Sequence, residues 1–170
     1  MSNVEQIKQE LNKYIDDEKA AFLPRFFQAF EGGYGEGDRF IGVAVPHQRK
    51  VAKKHYKGID IKDIERLLNE PMHEYRLTAL FMLVYKFEKA KDEQDRKVIV
   101  DTYLKNIESI NNWDLVDSSA PNILGAFLMD KDKSILYDMA RTPDLWKQRI
   151  AILSTFYFIK QGSFDDTLKI

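Results

Sequence analysis

The chain has 170 residues and no cysteine. That absence excludes a disulfide framework, a thiol nucleophile and any zinc site built on thiolates, and it suits the reducing cytoplasm. The first residues, Met1-Ser2-Asn3-Val4-Glu5, have neither the basic segment nor the apolar run of a secretory signal. No hydrophobic run approaches a membrane span; the longest lies around Leu77 to Tyr85. His47, His55 and His73 lack the spacing of a metal site and read as exposed or capping residues, so neither metal nor cofactor is expected. What remains is a soluble, cytoplasmic chain, expected to form one domain over residues 1–170 with a substantial core.

Charge of one sign is missing locally. From Arg39 to Ile59 there is no Asp or Glu, while Arg39, Arg49, Lys50, Lys53, Lys54 and Lys57 are basic. The whole chain has 26 basic and 27 acidic residues, so its formal charge of −1 conceals one positive segment within an acidic remainder. A localised footprint of this kind can bind phosphates, although a solvated basic helix face has the same composition.

Strand-like alternation is also absent, and nearly every segment reads as helix. Ser2-Asn3-Val4-Glu5 fits a capping box, followed by Val4, Ile7, Leu11 and Tyr14/Ile15 at helical spacing. Phe22, Leu23, Phe26, Phe27 and Phe30 form the stripe of a second helix, in which Pro24 is expected in the first turn. The glycines from Gly32 to Gly37 form a connector; no Gly-Lys-Ser/Thr follows to make a phosphate loop. Pro46 suits the first turn of a basic helix from about His47 to Tyr56.

Further helices are predicted over 61–68, 74–88, 92–107, 121–129, 134–140 and from about 144 to 160. The last should be opened by Thr142 as N-cap with Pro143 at the first helical position. Ser163-Phe164-Asp165-Asp166 resembles one more capping signature close to the end. An all-α domain follows, either a solenoid of stacked helix pairs or a compact bundle.

Within this helical chain, Asn112-Trp113-Asp114-Leu115-Val116-Asp117 carries the most chemistry. Residues four apart share a helix face, so Trp113 and Asp117 should project together. An indole beside a carboxylate suits a cation, or a group becoming cationic during a reaction. The same residues also fit a capped helix start with an acidic first turn and a buried indole. Asp114, Asp16-Asp17 and Asp165-Asp166 read as helix-terminal charges, and Ser118-Ser119 as a cap for the next helix.

Three segments together, Gly37–Pro46, Asn112–Asp117 and Leu145–Ile152, resemble the AlkD-like DNA alkylation repair glycosylases in order and approximate spacing. The resemblance covers essentially the whole chain. It implies an α-α superhelix of HEAT-like repeats with a basic concave face. It also implies metal-free hydrolysis of the N-glycosidic bond of positively charged purines, such as 3-methyladenine and 7-methylguanine, in duplex DNA. By the same resemblance Trp113 and Asp117 are catalytic and Arg149 lies in the DNA-facing cleft. Phe27 corresponds to an aromatic from the early helices. Arg49, Lys50, Lys53, Lys54 and Lys57 are then the phosphate-binding residues.

Related proteins continue for several helices and supply a second cleft tryptophan there. The sequence therefore reads as C-terminally shortened, with an exposed face around Phe156, Phe158, Ile159 and Phe164 open to self-association. Two alternatives stand beside this reading. Arg149 can instead neutralise a buried carboxylate. The protein can instead be a non-catalytic repeat protein that binds structured DNA or a protein partner.

Overall fold

The computed structural model describes residues 2–170, whose regular elements are all helical, with no strand among them. The chain divides into two compact units, residues 1–86 and 87–170. Among the described residues no helix is long and apolar enough to cross a membrane.

The first unit contains α1 (Asn3–Asn12), α2 (Asp17–Phe26), α3 (Val45–His55), α4 (Ile61–Leu68) and most of α5 (His73–Glu88). The capping box that opens α1 forms as predicted, Ser2 and Glu5 bonding each other's backbone N–H. Val4, Ile7 and Leu11 then bury one face of α1, which packs against α3 and α4. Pro46 occupies the first turn of α3, where its missing N–H costs nothing.

α2 departs from its predicted pattern. Its N-cap is Asp16, which accepts from the Lys19 N–H, and Pro24 lies in the last turn rather than the first. There the lost i→i−4 bond interrupts a helix that is already ending. No residue of α2 is buried, and Phe22, Phe26 and Phe30 stand more than half exposed. Only Phe27, just past its end, enters the core, stacked on Phe40 and against His73.

The connector before α3 is a clamp on the start of α5. Asp38 accepts from Arg76 and meets Nδ1 of His73 at 2.9 Å, both partners being buried. His73 is thus a buried, hydrogen-bonded residue and not the exposed or capping one expected. An isolated parallel bridge joins Arg39 to Met72, the His73 N–H donating to the Arg39 carbonyl at 2.8 Å. The buried Glu74 carboxylate accepts from the N–H groups of Ile41 and Gly42, the latter at 2.8 Å. Gly42 has φ +78° and so little room that a Cβ would lie 2.0 Å from the Asp16 carbonyl oxygen, which makes glycine obligatory. The Gly37–Pro46 segment therefore does structural work. Beyond it α5 is buried on nearly all sides from His73 to Val84.

The second unit holds α6 (Glu93–Lys105), a 3-10 turn (Ile107–Ser109), α7 (Trp113–Asp117), a π-helical turn (Pro121–Gly125), α8 (Ala126–Leu128), α9 (Ser134–Arg141), α10 (Leu145–Lys160) and α11 (Asp165–Lys169). α10 is its axis, touching α7, the π-turn, α8, α9 and α11. Its N-cap is Asp144, whose carboxylate accepts from the N–H groups of Trp146 and Lys147. The predicted cap, Thr142, instead donates its hydroxyl back to the Met139 carbonyl. A carboxylate two residues further on satisfies two orphan donors and wins the position.

Two other expectations change near the end. Ser163 does not cap α11, which begins after Phe164 without a side-chain cap, and Asp166 accepts instead from the Tyr137 hydroxyl at 2.8 Å. Phe158 is fully buried, whereas Phe156, Phe164 and Leu168 are exposed.

Candidate functional site

Two features of the second unit decide where Asp117 stands. α7 starts at Trp113, capped by the fully buried Asn112, whose side-chain oxygen accepts from the Trp113 N–H at 2.9 Å. It stops at Asp117 because Pro121 lies four residues on. Pro121 has no N–H to return to the Asp117 carbonyl, and its ring would clash with that group. The chain continues instead through the π-turn, in which the Gly125 N–H reaches the Ala120 carbonyl at 2.9 Å. Such turns widen a helix locally and often accompany functional sites. Leu115 and Val116 are buried and anchor α7, leaving Trp113 and Asp117 half-buried at its two ends.

Two contacts seat this segment. Ser119, expected as a cap, instead donates its buried hydroxyl to the Leu115 carbonyl at 2.6 Å and lies 3.1 Å from the Tyr103 hydroxyl of α6. Burial pushes the Tyr103 phenol well above its ordinary range, so it stays neutral. Gly125 lets the π-turn approach α10 so closely that a Cβ there would fall 2.2 Å from the Ser154 carbonyl oxygen.

That approach brings Asp117 to Arg149, one turn into α10 from its cap. The Arg149 Nε and Nη2 each donate to one carboxylate oxygen of Asp117, both at 2.7 Å. The two side chains are 37% and 33% exposed, so the pair lies at the surface and not in the core. Sequence reading placed both residues at the site and left open whether Arg149 neutralises a carboxylate; here it does, and the carboxylate is Asp117. Trp146, one turn before Arg149 on the same helix, is half-buried as well. Lys147 turns to Glu108 at 2.5 Å, which raises its ammonium above the ordinary lysine value.

In the first unit α3 sorts its residues by face. Gln48, Val51 and Ala52 are buried. At about 100° per residue, Arg49, Lys50, Lys53 and Lys54 fall within an arc of about 140° opposite them, and Lys57 just past the helix end continues it. All five are exposed. They are not equally available. The Arg49 guanidinium lies over the Phe81 ring at 4.0 Å, and Lys54 is paired with Glu10, which also meets Nε2 of His55 at 3.0 Å. Those contacts hold Glu10 below the usual carboxylate range. Lys50 reaches the Tyr14 hydroxyl at 3.4 Å, and Tyr14 stacks on His47.

A shallow cavity of about 220 Å³ opens here, lined by Glu10, Lys13, Tyr14, Lys50, Val51 and Lys54. Lys13 and Tyr14 come from the turn just after α1, some forty positions from Lys50 and Lys54, and Tyr14, read from the sequence as part of an apolar helix face, here joins a basic surface instead. Phe27 does not reach any such surface. Being buried against Phe40 and His73, it cannot serve as the early cleft aromatic, while its neighbour Phe26 is 51% exposed.

Among the described residues no group of three or more His, Asp or Glu side chains gathers as metal ligands would. The model of one family, described as DNA alkylation repair enzyme, matches residues 7–170. No curated relative matches the chain.

Proposed function

The chain belongs to the DNA alkylation repair enzyme family, and from that premise we propose that it is a glycosylase for positively charged alkylated purines in duplex DNA. The observation that carries the reading is the placing of Trp113 and Asp117, half-buried, at the two ends of one short helix that Pro121 terminates.

Alkylation at N3 of adenine or N7 of guanine leaves the base cationic, so it departs as a neutral molecule with the electron pair of the glycosidic bond. No acid is needed to protonate it. The difficulty lies in the deoxyribose left behind, an oxocarbenium-like cation at C1′. Asp117 opposes that charge as an anion and accepts the proton of the water whose oxygen bonds to C1′. The Trp113 indole offers a π-face to the same cation. At about 4 Å and an effective dielectric near 20 the carboxylate contributes roughly 4 kcal/mol, about three decades in rate. The exposed arc of Arg49, Lys50, Lys53, Lys54 and Lys57 holds phosphates, and Arg149 meets the backbone beside the lesion.

One observation favours a second reading, a non-catalytic repeat protein that binds DNA or a protein partner. Both oxygens of Asp117 are engaged by Arg149, an arrangement that also suits a purely structural ion pair. Leaving-group charge separates the two. Duplexes carrying 7-methylguanine and duplexes carrying the neutral O6-methylguanine should be offered side by side and free base measured. Release of the cationic base alone supports the glycosylase. Binding of both without release of either supports the second reading.

A further inference from the structure

The fork between Asp117 and Arg149 is well made but weakly held. Two bonds of 2.7 Å leave neither carboxylate oxygen without a guanidinium donor. Yet each side chain is about a third exposed, and ion pairs so placed shift an equilibrium by no more than about fivefold. A carboxylate neutralised at this distance also acts on a developing cation as a dipole and not as a charge. The resting geometry thus masks the group on which the chemistry proposed above depends.

Relieving that mask needs no backbone movement. α10 is fixed by its Asp144 cap and by the buried Ile150 and Ala151 beside Arg149. α7 is fixed by Asn112, Leu115 and Val116. Between two fixed helices only the arginine side chain has to turn. Guanidinium forks accept two classes of oxyanion that present a pair of oxygens, carboxylate and phosphate, and nucleic acid supplies the second in quantity.

We propose that the Asp117–Arg149 pair is a latch opened by substrate: a DNA phosphodiester competes with Asp117 for the Arg149 guanidinium, and its capture there uncovers the carboxylate. Arg149 is then a positioning residue that acts through Asp117. The inference rests on the glycosylase reading of Asp117, but its consequence for binding is separate. Competition for one guanidinium is reciprocal, so removing the Asp117 charge must strengthen the hold on phosphate.

Affinity for an unmodified duplex, measured by fluorescence anisotropy at one salt concentration, tests this in Asp117→Asn, Arg149→Ala, the double variant and Asp114→Asn. Asp117→Asn should bind about two- to fivefold tighter than the parent. Asp114→Asn, which removes a charge three residues away and leaves the Asp117 carboxylate in place, should gain less. In the Arg149→Ala background the Asp117→Asn gain should vanish. Arg149→Lys, which keeps the charge and loses the fork, should show a reduced gain and guards against a misfolded alanine variant. An Asp117→Asn gain no larger than that of Asp114→Asn, or one that survives without Arg149, overturns the latch while leaving the glycosylase reading intact. Failure of every variant, parent included, to bind DNA overturns both.

Discussion

Alanine at position 125 sets two effects against each other, and their magnitudes decide the sign. Gly125 has φ −58° and ψ −50°, an ordinary helical conformation that alanine adopts readily. Propensity alone would make Gly125→Ala stabilising by about 0.4–1 kcal/mol. The contact opposes it. The new Cβ would lie 2.2 Å from the Ser154 carbonyl oxygen, 3.0 Å from the Tyr157 Cβ and 3.1 Å from the Ser154 carbonyl carbon. Relieving the first contact requires roughly 1 Å of separation, and the obstacle is backbone in the middle of α10, which cannot swing aside as a side-chain tip can.

Overpacking of this kind costs about 1–3 kcal/mol. For a chain of this size each kcal/mol corresponds to about 2–4 °C in Tm, so a fall of several degrees is expected in a calorimetric melt. The same separation carries Asp117 away from Arg149, since the π-turn and α7 are one continuous segment. Gly125→Ala should therefore also lose the Arg149-dependent change in DNA affinity on Asp117→Asn. A variant as stable as the parent, or more so, would refute the reasoning that close approach of the π-turn to α10 builds the site.

Other expectations concern the clamp, the basic arc and the exposed apolar side chains. Burial raises the Glu74 pKa above the usual carboxylate value. Between the ordinary and the raised value the folded state binds more protons than the unfolded, so this group's contribution to stability falls as pH rises through that window. Glu74→Gln should flatten that part of a stability profile taken from about pH 4 to about pH 7, whereas Glu74→Ala should cost about 1–3 kcal/mol for each backbone N–H left without its acceptor. A profile unchanged by Glu74→Gln would contradict the raised value. Replacing Arg49 and Lys53 by alanine should lower the slope of log affinity against log salt by up to about two units without altering base preference. A slope that survives intact would place the phosphate path elsewhere. Phe156, Phe164 and Leu168 are exposed on or beside the last two helices; concentration-dependent sedimentation or binding of a hydrophobic dye is expected, and a monodisperse, dye-silent monomer would show that they cover no interface.

What could be read from the sequence was local. The capping box of α1, the bounds of α4 and the one-sided arc of α3 follow from residues within a turn or two of each other, where spacing maps directly onto a face. Asp117 and Arg149 were both singled out, but the bond between them spans 32 positions and depends on Gly125 admitting α10. The clamp was illegible for the same reason. Asp38 and Glu74 find partners 32 to 38 residues away, and Gly42 gives no sign in sequence that a backbone oxygen fills its side-chain space. Pro24 and Thr142 mark another limit. Both residue types do sit near helix ends, but which end of α2, and which of two successive capping residues at α10, is settled by neighbouring donors and carbonyls.

Asp117 is the residue on which the proposed chemistry depends most directly. Single-turnover release of 7-methylguanine from alkylated duplex should be compared for the parent, Asp117→Asn and Asp114→Asn, each shown to be folded and DNA-bound. A fall of about three decades in Asp117→Asn, with little change in Asp114→Asn, is the predicted result. Equal losses in the two variants, or undiminished release by Asp117→Asn, would contradict the claim that this carboxylate faces the sugar cation.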